Sequence, residues 1–169
     1  SILTRRPPRS TPRQGRRQRQ MCIRDRAHHA APSSLVILGV VEDELETLVR
    51  DLNERAGVNA TGELLSDRSL ERWIAESRVL IHATPVGMHP REDECLVPPE
   101  WMHAELAVMD IVYNPYQTRL LRDAQARGLK TIPGVEMFVN QALLQFEART
   151  GERAPRQDMK QVVLDHLTR

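Results

Sequence analysis

Cysteines, aromatic residues and long apolar runs are scarce in this chain of 169 residues, and each scarcity excludes a class of protein. There are two cysteines and two each of Trp, Tyr and Phe. Cys22 and Cys95 lie far apart with no metal-ligand spacing, so we expect no zinc site and a reducing, cytoplasmic location. No segment approaches the roughly 18 consecutive apolar residues of a membrane span, so no membrane partner is expected. With 40% hydrophobic and 28% charged residues, the composition predicts one globular domain.

The net charge of +1 conceals an arginine-rich leader. Residues 1–26 carry nine arginines and one acid, Asp25, together with three prolines and few apolar residues. Such a segment cannot fold by burying apolar surface. The strings RRPPRST and MCIRDR resemble translated sequencing-adapter DNA, so we favour a non-native leader; a disordered arm and a targeting segment are the alternatives. We therefore leave residues 1–26 out of the predicted fold and expect no nucleic-acid partner.

From residue 27 onward, apolar strand-like runs alternate with amphipathic helical patterns. We predict strands at 35–38, 79–81, 107–112 and 129–132. The first predicted helix begins with Asp43 as N-cap and ends near Gly57. The second follows a cap at Ser66 or Asp67, and the third ends at Gly128. Two more are predicted at 134–150 and from about Pro155. Strands separated by helices predict an α/β fold with a parallel sheet flanked by helices.

Four residues near the predicted strand ends are candidates for ligand contact, because ligands of open parallel sheets bind beyond the carboxyl ends of the strands. Thr84 could bind a phosphate or ribose, or only help the chain turn. Tyr113 could contact a ligand, or anchor a loop with its hydroxyl in water. Gly134 opens a helix whose free amides suit a polar ligand, or simply turns the chain. Gln141 could bind a polyol substrate from within an apolar helical stripe, or bond a neighbouring backbone group.

Three consecutive motifs are more specific together than any one of them. IHATPVGM, then DIVYNPYQTRLL, then a glycine followed by EMFVNQALLQFEARTG, closely resemble the carboxy-terminal part of shikimate dehydrogenase. The resemblance covers about residues 34–167 and is strongest from 79 to 151. It implies that residues 27–169 form a partial NAD(P)-binding lobe of Rossmann type with C-terminal helices. It also implies reduction of 3-dehydroshikimate to shikimate with NADPH, in the chorismate route to aromatic amino acids.

The same resemblance implies roles for six residues. Ile111 and Gly134 would lie against the nicotinamide, and Thr84 and Met137 would line the same cofactor pocket. Tyr113 and Gln141 would reach hydroxyl groups of the substrate. The oligomeric state is left open, with a homodimer as one option.

Departures from the family pattern bear on activity. The family's catalytic Lys and Asp belong to an amino-terminal lobe that this sequence does not match, so we expect no catalytic residue in the chain. No Gly-rich phosphate turn is found before the strand at 35–38, and Gly39-Val40-Val41 replaces the Asn-Arg-Thr that clamps the extra phosphate of NADP. His82 replaces the usual Asn of the Asn-Ala-Thr-Pro loop. An NAD-using quinate/shikimate dehydrogenase and a non-catalytic nucleotide-binding module therefore remain as alternatives.

Overall fold

The chain forms two compact units, divided after Pro85. The computed structural model describes residues 2–4 and 32–167. Among the described residues, the strand pairings within each unit are all parallel, and α-helices follow several of the strands. The predicted α/β class is therefore confirmed.

In the first unit, four parallel strands are hydrogen-bonded in the order β3-β2-β1-β4. The elements in chain order are β1 (Ile2–Thr4), β2 (Leu35–Gly39), helix α1 (Glu42–Arg55), β3 (Ala60–Leu64), helix α2 (Asp67–Glu76) and β4 (Val79–His82). The most deeply buried side chains come from both strands and helices, and they include Ile37, Leu38, Leu52, Ile74 and Leu80. This apolar layer forms because the helices turn their leucine and isoleucine stripes toward the sheet.

Strand β1 corrects the prediction for the leader. The sequence prediction excluded residues 1–26, yet Ile2 pairs with Ile37 of β2 on one side and with Ile81 of β4 on the other. The exclusion is wrong for residues 2–4, because a three-residue strand beside arginines has too little apolar sequence to stand out by composition. Two neighbouring strands supply its backbone partners. Residues 5–31 lie outside the described residues, so the non-native or disordered leader remains a prediction for residues 5–26.

Strand β3 was not predicted, because its sequence ATGEL has little apolar character. Gly62 explains how α1 packs against it: a β-carbon at this position would lie 2.9 Å from side-chain atoms of Leu45 and Val49. Helix α1 also begins differently from the prediction. Its N-cap is Val41, which makes no side-chain capping bond, and Asp43 lies inside the first turn. An acid there still favours the helix through its dipole.

The N-cap of helix α2 is Ser66, one of the two caps predicted for it. The Ser66 hydroxyl accepts from the Ser69 amide at 3.1 Å, and the Ser66 amide donates to the Ser69 hydroxyl at 2.9 Å. This reciprocal pair is a capping box in which serine replaces the usual Glu or Gln. It satisfies two backbone donors that the helix itself cannot satisfy.

The second unit contains the region that carries most of the predicted site. Its elements are a short 3₁₀ turn (Pro99–Trp101), β5 (Ala107–Asp110), helix α3 (Arg119–Ala126), β6 (Thr131–Ile132), helix α4 (Gly134–Thr150) and helix α5 (Arg156–Leu167). Strands β5 and β6 pair in parallel, with Val108 opposite Thr131. Both are shorter than predicted. Gly128 follows α3 at φ 74°, a left-handed conformation that glycine adopts without steric cost.

Within the described residues, no helix combines the length and the apolar character that a bilayer crossing needs. The same residues hold no group of three or more His, Cys, Asp or Glu side chains arranged to bind a metal ion.

Candidate functional site

A buried carboxyl group organises the loop that follows β5. Asp110 ends the strand and is 0% exposed. Its Oδ1 accepts from the Val112 amide at 3.0 Å, and its Oδ2 accepts from the Thr118 hydroxyl at 2.6 Å. Thr118 is also the N-cap of α3 and accepts from the Leu121 amide. Both ends of the loop 111–117 are therefore fixed to one side chain.

Gly134, at the start of α4, lies against the first residues of this loop. A β-carbon on Gly134 would lie 2.4 Å from the Val112 carbonyl oxygen and 2.7 Å from that of Ile111. Both distances are shorter than any van der Waals contact, so only glycine allows α4 to begin so close to the loop. The structure thus brings Ile111 and Gly134 together, as expected if both contact one ligand group.

Tyr113 extends from the same loop onto the face of α4. Its ring stacks on Phe138 with centroids 4.7 Å apart and an interplanar angle of 20°. Such offset pairs contribute about 0.5–1.5 kcal/mol beyond the area that they bury. Tyr113 remains 43% exposed, so its ring is held in place while part of it stays in contact with solvent. Next to it, the Asn114–Pro115 peptide bond is cis, and the Asn114 carbonyl accepts from the His89 amide.

The helical stripe that contains Gln141 is not a buried stripe. Helix α4 buries Val135, Val139 and Leu143, whereas Leu144, which shares the stripe of Gln141, is 67% exposed. Met137 and Gln141 are half-buried. Gln141 thus lies in an apolar stripe, as predicted, and this stripe is partly exposed. Spacing alone could not show the exposure, because the inward and outward faces of α4 are both apolar.

Helix α5 is joined to the beginning of α4 by charge. Glu136, in the first turn of α4, pairs with Lys160 and, at 3.7 Å, with Arg156. Helix α5 buries no residue of its own. Partly exposed ion pairs of this kind contribute little individually, so they orient α5 more than they stabilise the unit.

Thr84 lies in the first unit. Its hydroxyl lies 2.5 Å from Nε2 of His82, and both side chains are buried. The imidazole that replaces the family's Asn thus makes a short polar contact with the predicted cofactor-binding hydroxyl.

The first unit also carries a cleft of about 180 Å³ between α1 and β3. Leu45, Val49 and Gly62 contribute apolar lining, while Glu42, Glu46 and Glu63 contribute carboxyl groups. Glu63 accepts from Trp73 Nε1 at 2.7 Å and pairs with Arg72. Val40, which follows the carboxyl end of β2, is 38% exposed, so the position that the resemblance assigns to a phosphate-clamping arginine carries an exposed apolar side chain.

Sequence reasoning did not identify Asp110 and Thr118. A signal was present, because an acid interrupts the apolar run of the predicted strand 107–112 and a good N-cap residue precedes the next helix eight positions later. The pattern did not show that the two side chains meet.

A family model described as the shikimate 5′-dehydrogenase C-terminal domain matches residues 134–164, which comprise α4 and most of α5. Among curated proteins, the shikimate dehydrogenase (NADP(+)) of Methanopyrus kandleri is 44% identical over 134 residues, which are 79% of this chain and 46% of that protein. The enzyme of the same name from Methanosarcina barkeri is 38% identical over 136 residues, 80% of this chain and 48% of that protein.

A solved structure has the same fold. Shikimate 5-dehydrogenase from Listeria monocytogenes, in complex with shikimate and NAD, superposes with a TM-score of 0.78 at 28% identity, covering 96% of this chain and 55% of that one. The chain spans about half the length of the curated relatives that it matches. It belongs to the shikimate dehydrogenase family and corresponds to the carboxy-terminal, nucleotide-binding lobe of those proteins.

Proposed function

We propose that the chain is the nucleotide-binding half of a shikimate dehydrogenase, which reduces 3-dehydroshikimate to shikimate with a nicotinamide cofactor. The observation that carries the proposal is the contact between Gly134 and the backbone of Ile111 and Val112. It brings a strand end and a helix N-terminus together with no side chain between them, which suits the close approach of a flat cofactor ring.

The nicotinamide end of the cofactor fits the residues that are present. Ile111 and Gly134 would hold one side of the ring, and Met137, one turn into α4, would add an apolar contact. When bound, the nicotinamide supplies the hydride. The chain's own residues position that ring and limit the access of water to it. The role of Thr84 at the cofactor remains a prediction from the resemblance.

Substrate recognition is assigned to Tyr113 and Gln141. The stacking on Phe138 restrains the Tyr113 ring while leaving it partly exposed. Gln141, one turn beyond Met137, is half-buried and carries both a donor and an acceptor. Hydroxyl groups of shikimate offer matching partners. We assign no catalytic residue to this chain, because the resemblance places the catalytic Lys and Asp in an amino-terminal lobe that this sequence does not match.

We expect residues of the first unit to favour NAD over NADP. Val40 provides no cation for a 2′-phosphate, and Glu42 follows two residues later at the start of α1. A carboxylate near this position suits free ribose hydroxyl groups. The curated relatives carry NADP(+) in their names, so the proposed preference is a property in which this chain departs from them. An NAD-using quinate/shikimate dehydrogenase is the second candidate that the same observation supports.

A chimera tests the function. The chain from residue 32 onward would be joined to the half of the Methanopyrus kandleri enzyme that it does not match, with Ile2–Thr4 and the residues that follow replaced by the corresponding segment of that enzyme. We expect shikimate-dependent reduction of NAD or NADP, which is measured by the absorbance of the reduced cofactor. A folded chimera that binds either cofactor without turning over shikimate would contradict the dehydrogenase function and favour the alternative of a non-catalytic nucleotide-binding module.

A further inference from the structure

Asp110 has no assigned role in ligand binding. It is fully buried at the end of β5, immediately before the predicted site residue Ile111. Burying a carboxyl group is costly unless its oxygens accept hydrogen bonds. Here one oxygen accepts from a backbone amide within the loop, and the other accepts from the hydroxyl at the far end of the loop.

The backbone of Val112 links this carboxyl group to α4. Its amide donates to Asp110, and its carbonyl oxygen is the atom that a side chain on Gly134 would strike. The next residue, Tyr113, then stacks on Phe138 in the second turn of α4. Three contacts in sequence therefore run from the buried acid through the backbone of one residue to an exposed aromatic ring.

We propose that Asp110, acting with Thr118, is a positioning residue that clamps the loop 111–117 and thereby holds the Tyr113 ring against Phe138 in the orientation that binds substrate. The relevance of this orientation to substrate rests on the proposed function. The clamp itself is a property of the second unit and can be observed in the chain without any ligand.

The clamp requires both hydrogen bonds, since each one fixes a different end of the loop. Without the Thr118 hydroxyl, α3 loses its cap and the loop loses its distal attachment. Asp110→Asn leaves one acceptor oxygen where two are needed, so either the Val112 amide or the Thr118 hydroxyl loses its acceptor. In either case the Tyr113 ring is no longer held in a single stacked position, although the strands and helices of the unit keep their own backbone bonds.

The experiment labels the full chain with 3-fluorotyrosine, which gives two ¹⁹F signals because the sequence has two tyrosines. Tyr116→Phe assigns them. The variants are Asp110→Asn, Thr118→Val, which keeps the volume without the hydroxyl, and Thr118→Ser, which keeps the hydroxyl. Ser69→Ala is the matched control, because it removes a buried capping hydroxyl from α2 in the first unit.

We expect the Tyr113 signal to move toward its position in the urea-unfolded chain in Thr118→Val and Asp110→Asn, and to stay in place in Thr118→Ser and Ser69→Ala. Circular dichroism reports whether each variant folds. An unchanged Tyr113 signal in folded Thr118→Val would overturn the clamp. Global unfolding of both Thr118→Val and Asp110→Asn would overturn it as well, because the pair would then support the whole unit rather than the loop.

Titration of the unmodified chain with NAD and with shikimate separates this inference from the proposed function. Absence of binding to both would count against the function, while the position of the Tyr113 signal in the four variants would still decide the clamp.

Discussion

The carbonyl oxygen of Val112 occupies the space that a β-carbon on residue 134 would need, since the two atoms would lie 2.4 Å apart. The obstructing atom belongs to the backbone, and it cannot rotate away as the end of a flexible side chain would. The backbone of the loop after β5 and the first turn of α4 must therefore move together or not at all.

Gly134→Ala should consequently destabilise the protein through overpacking, by about 3 kcal/mol. Gly151→Ala is the control: residue 151 ends α4 at φ 72°, and a β-carbon there would meet no atom within 4 Å, so it should cost only about 1 kcal/mol for the left-handed conformation. Urea unfolding of both variants measures the difference. Equal losses would show that the loop moves aside without cost.

Cofactor discrimination should respond to a cation at residue 40. Val40→Arg should raise NADP affinity about tenfold, or about 1.4 kcal/mol, and the gain should shrink with added salt. Val79→Arg is the matched control, since Val79 is also an exposed valine but begins β4, whereas Val40 follows the carboxyl end of β2. Calorimetric titration with NAD and NADP provides the affinities. If the unmodified chain prefers NADP by more than about a hundredfold, roughly 2.7 kcal/mol, another cation must supply the clamp.

The isolated chain should show no dehydrogenase turnover with shikimate and either nicotinamide cofactor. The reason is chemical: no side chain assigned to the site is suited to moving the proton that accompanies hydride transfer. Absorbance of the reduced cofactor is the measurement. Turnover that survives repurification and disappears in Tyr113→Phe would contradict the assignment of no catalytic residue.

Gln141→Leu should separate ligand binding from folding. Gln141 is half-buried on an outward face of α4, so the melting temperature of the chimera should change little. Its catalytic efficiency for shikimate should fall about ten- to two-hundredfold, the equivalent of about 1–3 kcal/mol, through the loss of one or two hydrogen bonds. Gln145→Leu, at an exposed position one turn further along α4, is the control and should leave both quantities unchanged. A lower melting temperature with unchanged kinetics would make Gln141 a structural amide.

Cys95 should react slowly in the folded chain. Burial raises the pKa of its thiol above the ordinary value of 9.0, and the nearby Asp123 carboxylate adds to the effect. The unfolded chain therefore loses this proton first as the pH rises, and the stability associated with the neutral thiol decreases from about pH 9 upward. Alkylation at pH 9, followed by peptide mass spectrometry, should be slower in folded than in urea-unfolded protein. Cys95→Ser should lose this part of the pH dependence; retention of it would place its origin elsewhere.

Strong local patterns carried most of the fold prediction. The capping serine of α2, the glycine after α3 and the length of α4 all followed from residue types at fixed spacings. The elements that were missed depend on partners distant in sequence. Strand β3 contains few apolar residues and is specified by the fit of Gly62 beneath α1, which no single-strand pattern reveals.

The candidate site likewise contains residues that the sequence identified and contacts that it could not reveal. Motif resemblance identified Ile111, Tyr113 and Gly134, and the structure brings their backbones to one loop and helix start, although their roles stay predictions. The resemblance did not reveal that a buried acid fixes the loop, because a hydrogen bond between Asp110 and Thr118 is a tertiary contact. The sequence also could not show that Gln141 lies on an outward face of α4, because this helix is apolar on two faces.

Strand β1 has a kinetic consequence. Its residue Ile2 pairs with Ile37 and Ile81, so the middle of the first unit's sheet is completed by contacts between residues that are far apart in the chain. Such non-local pairings slow folding, because the entropy of closing long loops is lost before the contacts form. During synthesis the two flanking strands cannot both find β1 until residues 79–82 have left the ribosome. Until then β1 carries an unpaired edge, which makes this interval the one in which the chain is most exposed to aggregation.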